Sequence, residues 1–111
     1  MRMQGYDEAA AVPFIVRAMR KAGHKETQEE LEAFVRRAID ADLTYMHETG
    51  VLDPEGLMGE GEYDDDDAFE ALLDVLGEGA DDEDAMNRTA QMLDSYMNAQ
   101  QDFMEASGLM G

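Results

Sequence analysis

Two stretches of this chain, 58 residues apart, carry the same pattern. Ile39 to Leu52 reads IDADLTYMHETGVL and Met97 to Met110 reads MNAQQDFMEASGLM, with 9 of 14 positions identical or conservative. Ala41, Met46 and Gly50 recur as Ala99, Met104 and Gly108, and Tyr45 recurs as Phe103. An earlier pair matches at an offset of 57: Tyr6, Asp7, Ala11, Ile15, Val16, Ala18 and Met19 fall on Tyr63, Asp64, Ala68, Leu72, Leu73, Val75 and Leu76. The difference of one residue belongs in a turn. A helical hairpin cannot cover its own apolar face, whereas two of them bury those faces together. The expected fold is therefore all-α: a tandem repeat of two helical hairpins in one four-helix bundle-like domain, with repeat 1 at about 6–52 and repeat 2 at about 63–110.

Local signals place the four helices. Thr27-Gln28-Glu29-Glu30 is a capping box, and Leu31, Phe34, Val35, Ala38, Ile39, Leu43 and Met46 then follow at helical spacing as far as Gly50. Val51 beyond that glycine is placed to pack on Met46 in a Schellman-type closure. The first helix carries Ala11, Phe14, Ile15, Ala18, Met19 and Ala22 inward and ends at Gly23; Pro13 requires it either to begin around Ala9 to Val12 or to kink. Asp53-Pro54-Glu55-Gly56 reads as a type I turn. The third helix, capped within Asp64 to Asp67, turns Phe69, Leu72, Leu73 and Leu76 inward and stops at Gly77. The fourth, starting within Asp81 to Asp84, presents Met86, Ala90, Leu93, Met97 and Met104, flanked by Met92, Tyr96, Ala99 and Phe103.

Composition narrows the chemistry. At 111 residues a single domain is expected, and no cysteine is available for a disulfide, a thiolate metal site or a thiol nucleophile. The longest apolar run, Ala9 to Val16, is too short to span a bilayer, and Asp7 and Glu8 stand where a signal peptide would carry positive charge; a cytoplasmic protein is expected.

The charge is very uneven. The net charge is −19, but residues 1–49 hold seven basic and nine acidic side chains, whereas residues 50–111 hold one basic and eighteen acidic. Asp53 to Asp84 contains fifteen carboxylates and no Lys or Arg. The helix macrodipole rewards one or two acidic residues at each N-terminus, and beyond that such density costs stability through self-repulsion. Direct binding to nucleic acid or to an anionic membrane is disfavoured, and a basic protein surface is the expected partner. The concentration at the starts of both second-hairpin helices points to a single negative surface formed by Asp64, Asp65, Asp66, Asp67, Glu70, Asp74, Asp81, Asp82, Glu83 and Asp84.

In size, helical composition and charge the chain resembles, as a class, the small acidic inhibitors that phages and other mobile elements use against CRISPR effectors, restriction enzymes or DNA-binding proteins. The resemblance implies a non-catalytic protein that blocks a basic nucleic-acid channel by charge mimicry. The competing expectation is a structural or assembly module, a homodimer among its forms, whose acidity serves solubility.

Other chemistries find little support. Neither aspartate run has the alternating ligands, central glycine and terminal glutamate of a calcium loop, and no Glu-x-x-His pair marks a di-iron bundle, so no metal and no cofactor is expected. His24 and His47 read as structural or solvent-exposed, and Ser95 and Ser107 lack an evident orienting group for a nucleophile triad. Most of the ten methionines read as flexible core filling, with Leu57, Met58, Leu109 and Met110 outside the helices as an alternative contact. The basic cluster Arg17, Arg20, Lys21, Lys25, Arg36 and Arg37 on the first hairpin is expected to neutralise the second, within the bundle or across a dimer.

Overall fold

Each helix begins where a side-chain oxygen can satisfy its orphan amides. In a computed structural model, which describes residues 6–53, 59, 61–78 and 82–107, four helices run in the order α1 (Glu8–Lys21), α2 (Gln28–Glu48), α3 (Asp65–Leu76) and α4 (Glu83–Ala106). Asp7, Thr27, Asp64 and Asp82 are the N-caps, and at Thr27 both halves of the capping box form. The helices pack on one another around a shared apolar core, the all-α bundle expected from the repeat.

Pro13 lies in the second turn of α1, which begins at Glu8, one residue before the expected range. Its missing amide leaves the Ala9 carbonyl without a helical partner, and both residues are exposed, so water can serve there. At the other end Gly23 adopts φ +97°. Its amide donates to the Arg20 carbonyl and that of His24 to Met19, a complete Schellman closure. Gly50 also takes a positive φ, but there the long bond to Met46 comes from the Leu52 amide and not from Val51. The reason is the connection that follows. The amides of Gly59 and Gly61 donate to the carbonyls of Val51 and Gly50, so the backbone of these two glycines packs on the residues that end α2. A Cβ at Gly61 would lie 2.5 Å from the Thr49 carbonyl oxygen, which is why a side chain is excluded there. Gly56, Leu57 and Met58, the turn beginning at Asp53, and Leu109 and Met110 lie wholly or partly outside the described residues.

Some inward assignments need correction. Phe14 is 37% exposed and lies at the edge of the core against Phe103. Met86 is equally exposed; it lies in the first turn of α4, where its thioether covers Gly77 at the end of α3. The buried stripe of α4 is Met92, Leu93, Tyr96, Ala99, Gln100, Phe103 and Met104, so the residues read as its flank form much of its centre. Phe69, Leu73, Ala90 and Met97 are half-buried.

The cross-hairpin contacts follow the repeat offsets. Tyr6 packs edge-on against Phe103 with ring centroids 5.6 Å apart, and Tyr63 packs edge-on against Tyr45 at 5.9 Å. The Tyr6 hydroxyl donates to Gln100 and the Tyr63 hydroxyl to Asp42, positions that correspond at the offset of 58. Each hairpin's first helix is thus pinned to the other hairpin's second helix.

Candidate functional site

The ten acidic positions do not all do the same work. Asp64 and Asp82 are spent on structure: Asp64 accepts from the amides of Asp66 and Asp67, and Asp82 from that of Ala85. Asp67 accepts the Tyr45 hydroxyl at 2.7 Å. That bond, with burial and the charges of Asp67 and Asp64, pushes the Tyr45 pKa up to about 12. Asp65, Asp66, Glu70, Asp74, Glu83 and Asp84 are exposed, and among the described residues their side chains enter no hydrogen bond or ion pair. Asp81 lies outside the described residues.

These side chains do not form one cluster around two helix starts. α3 and α4 are consecutive helices separated by only six residues and packed together, so their N-termini lie at opposite ends of the hairpin. The separation is the length of α3, roughly 18 Å at 1.5 Å per residue. Between the two ends Asp66, Glu70 and Asp74 follow at successive i, i+4 positions and form a row along the outer edge of α3. The acidic feature is therefore a ridge with a patch at each end.

No cation of the second half neutralises this ridge. Its one basic side chain, Arg88, turns to the first hairpin, with Nε 3.0 Å from Glu26 and Nη2 3.7 Å from Glu30. Of the basic cluster on the first hairpin, only Arg37 reaches across among the described residues. It donates to the Val75 carbonyl, completing the C-terminal end of α3, and pairs with no carboxylate there. Neutralisation of the second hairpin within the bundle is not what these side chains do.

Beneath one end of the ridge is a carboxylate the sequence reading passed over. Asp42 is 1% exposed, with Oδ1 accepting the Tyr63 hydroxyl at 2.8 Å and Oδ2 the Tyr96 hydroxyl at 2.9 Å. Gln100 donates to the Tyr96 oxygen and accepts from Tyr6, so donors from α4 and from the residues just before the caps of α1 and α3 converge on one carboxylate of α2. Burial pushes the Asp42 pKa up to about 6 against the opposing pull of these hydrogen bonds, with the Asp65 charge adding a little. The same desolvation and the Asp42 charge push the Tyr63 and Tyr96 hydroxyls well above their ordinary value. The signal was present: Asp42 falls between Ala38 and Met46 on the inward face of α2, and its counterpart at the offset of 58 is the equally buried Gln100.

A second cluster was also invisible in sequence. The turn after α1 brings His24 Nε2 within 2.8 Å of Ser95 Oγ, and His24 Nδ1 lies 3.8 Å from Glu26 Oε1. The order is that of a nucleophile, a base and an orienting group. Ser95 sits mid-helix, where its neighbouring backbone amides are committed to the hydrogen bonds of α4. Ser95, His24, Glu26 and Arg88 fasten the α1–α2 turn onto α4.

Between α2 and α3 lies an open groove of about 470 Å³, floored mainly by apolar atoms of Ala41, Ala71, Leu72 and Val75. Tyr45 and Glu48 line one end and Arg37 the other, with Asp40 along the α2 side. Among the described residues no group of three His, Asp or Glu side chains converges as a metal ligand set. Among the described residues no helix is long and apolar enough to cross a membrane.

Comparison with protein-family models, with curated proteins and with solved structures finds no match.

Proposed function

We propose that this chain is a non-enzymatic interaction protein whose acidic second hairpin binds a basic surface of a nucleic-acid-binding protein, taking the place of phosphates there. The observation that carries the reading is the ridge of α3: Asp66, Glu70 and Asp74 lie in a row on a rigid helix, exposed, while the only basic side chain of residues 50–111 is engaged elsewhere. Carboxylates needed only for capping would stop at Asp64 and Asp82. A row of unpaired charge costs self-repulsion, and a cationic surface removes that cost when it binds.

The test is affinity capture from the DNA-cellulose-retained fraction of a cell lysate, using the intact chain and the variant Asp66→Asn/Glu70→Gln/Asp74→Asn. The intact chain should retain nucleic-acid-binding proteins that elute with salt and that a DNA duplex displaces; the neutralised variant should retain far less. Capture that ignores the substitutions, or that DNA does not displace, would rule the reading out.

A further inference from the structure

The two hairpins differ at one seam position in a way that changes the surface. At the offset of 57, Phe14 corresponds to Ala71. On the seam between α1 and α4, Phe14 lies edge-on over Phe103, with centroids 5.4 Å apart and planes at 62°. On the matching seam between α2 and α3 the counterpart of Phe103 is Tyr45, also largely buried, but Ala71 places a methyl group where Phe14 places a ring. The groove of about 470 Å³ is what that difference leaves open, and Val75, 47% exposed in its lining, is the most exposed large apolar residue described.

We infer that this groove receives a cationic amphipathic helix of the partner, which seats a bulky apolar side chain beside Tyr45 as Phe14 is seated beside Phe103. The inference rests on the cationic-partner reading above and adds the apolar contact that charge alone does not supply. Charge complementarity sets the occupant: Asp40 and Glu48 line the α2 side, while Asp67 and Asp74 share the Ala71 side of α3 at i, i−4 and i, i+3. Among the residues lining the groove the basic one is Arg37. From Arg37 to Glu48 the groove follows α2 for roughly 16 Å, about three helical turns. That is the reach over which a docked helix presents a stripe of apolar anchors at i, i+3 or i+4 and i+7.

The probe is a synthetic helical peptide with a Phe and two Leu at that spacing flanked by lysines, compared with its scrambled isomer by fluorescence anisotropy. The ordered peptide should bind at least about tenfold tighter than the scramble, and Ala71→Phe, which fills the groove as Phe14 fills the other seam, should erase that difference. Val75→Glu is the second variant. It keeps an exposed position exposed, adds a negative charge, and should nevertheless weaken binding, whereas attraction by charge alone would strengthen it. Equal binding of peptide and scramble, or tighter binding by Val75→Glu, overturns the groove. If both peptides bind equally and both weaken with Asp66→Asn/Glu70→Gln/Asp74→Asn, the groove is wrong and the acidic surface stands; if neither peptide binds at low salt, both fall.

Discussion

Replacing Asp42 with asparagine should change how the stability of this protein depends on pH. The carboxyl is buried, and its pKa in the folded state is pushed up from the ordinary 3.8 to about 6 by desolvation that two tyrosine hydroxyls and Gln100 only partly offset. At 1.36 kcal/mol per pKa unit, the folded state favours the protonated form by about 3 kcal/mol relative to the unfolded chain. The sign follows from proton counting. Between the two pKa values the folded state holds more protons, so Asp42's contribution is greatest below pH 4, falls as pH rises towards about 6, and is flat above that. Asparagine has no such titration. The stability of Asp42→Asn minus that of the native chain should therefore rise by about 3 kcal/mol from acid to neutral pH, whatever its absolute value at either end. Surface repulsion is common to both proteins and cancels to first order. Urea denaturation followed by helical circular dichroism at pH 3.5, 5, 6 and 7.5 measures the difference. A difference that is flat across this range, or that falls with pH, would refute the claim that burial dominates at Asp42.

Four further outcomes follow from particular contacts. Thr27→Ala removes the hydroxyl half of the capping box and should cost about 1 kcal/mol in urea denaturation. Gly61→Ala should cost more than Gly23→Ala, since the first drives a Cβ into backbone while the second meets open space and pays only for its positive φ, about 1 kcal/mol. Unequal melting temperatures in that order support the close packing of Gly61 on the end of α2, and equal ones argue against it. Added sodium chloride should raise the melting temperature at pH 7 by screening the ridge, and Asp66→Asn/Glu70→Gln/Asp74→Asn should show a smaller rise. Arg88→Ala should loosen the α1–α2 turn on α4, seen as faster amide exchange at His24 with little loss elsewhere.

Much of the architecture was legible because helix starts, glycine stops and the three-and-four apolar spacing are local properties. The cap at Thr27, the capping ranges Asp64 to Asp67 and Asp81 to Asp84, and the stop at Gly23 required nothing beyond neighbouring residues; the choice of Asp64 and Asp82 within those ranges came from the structure. The repeat offsets paired Tyr6 with Tyr63 and Tyr45 with Phe103 as equivalents, but that Tyr6 meets Phe103 and Tyr63 meets Tyr45 across the hairpins required the packing of the helices. What was not legible depends on three-dimensional placement. The exposure of Phe14 and Met86 depends on where neighbouring helices end, and periodicity alone carries no such information. Asp42 was hidden because a charged residue on an inward face is read as a break in the pattern until donors are known to converge on it. The acidic stretch showed in composition, but its division into caps, a Tyr45 contact and an exposed row required helix orientation.

The most direct test of the acidic-surface claim is the salt dependence of binding by the intact chain and by Asp66→Asn/Glu70→Gln/Asp74→Asn, using the captured basic partner or, failing that, the lysine-flanked peptide. For the intact chain, affinity should fall at least about tenfold between 50 and 300 mM sodium chloride, and the neutralised ridge should show weaker binding at low salt with a shallower decline. Two parallel salt curves of equal affinity would contradict it.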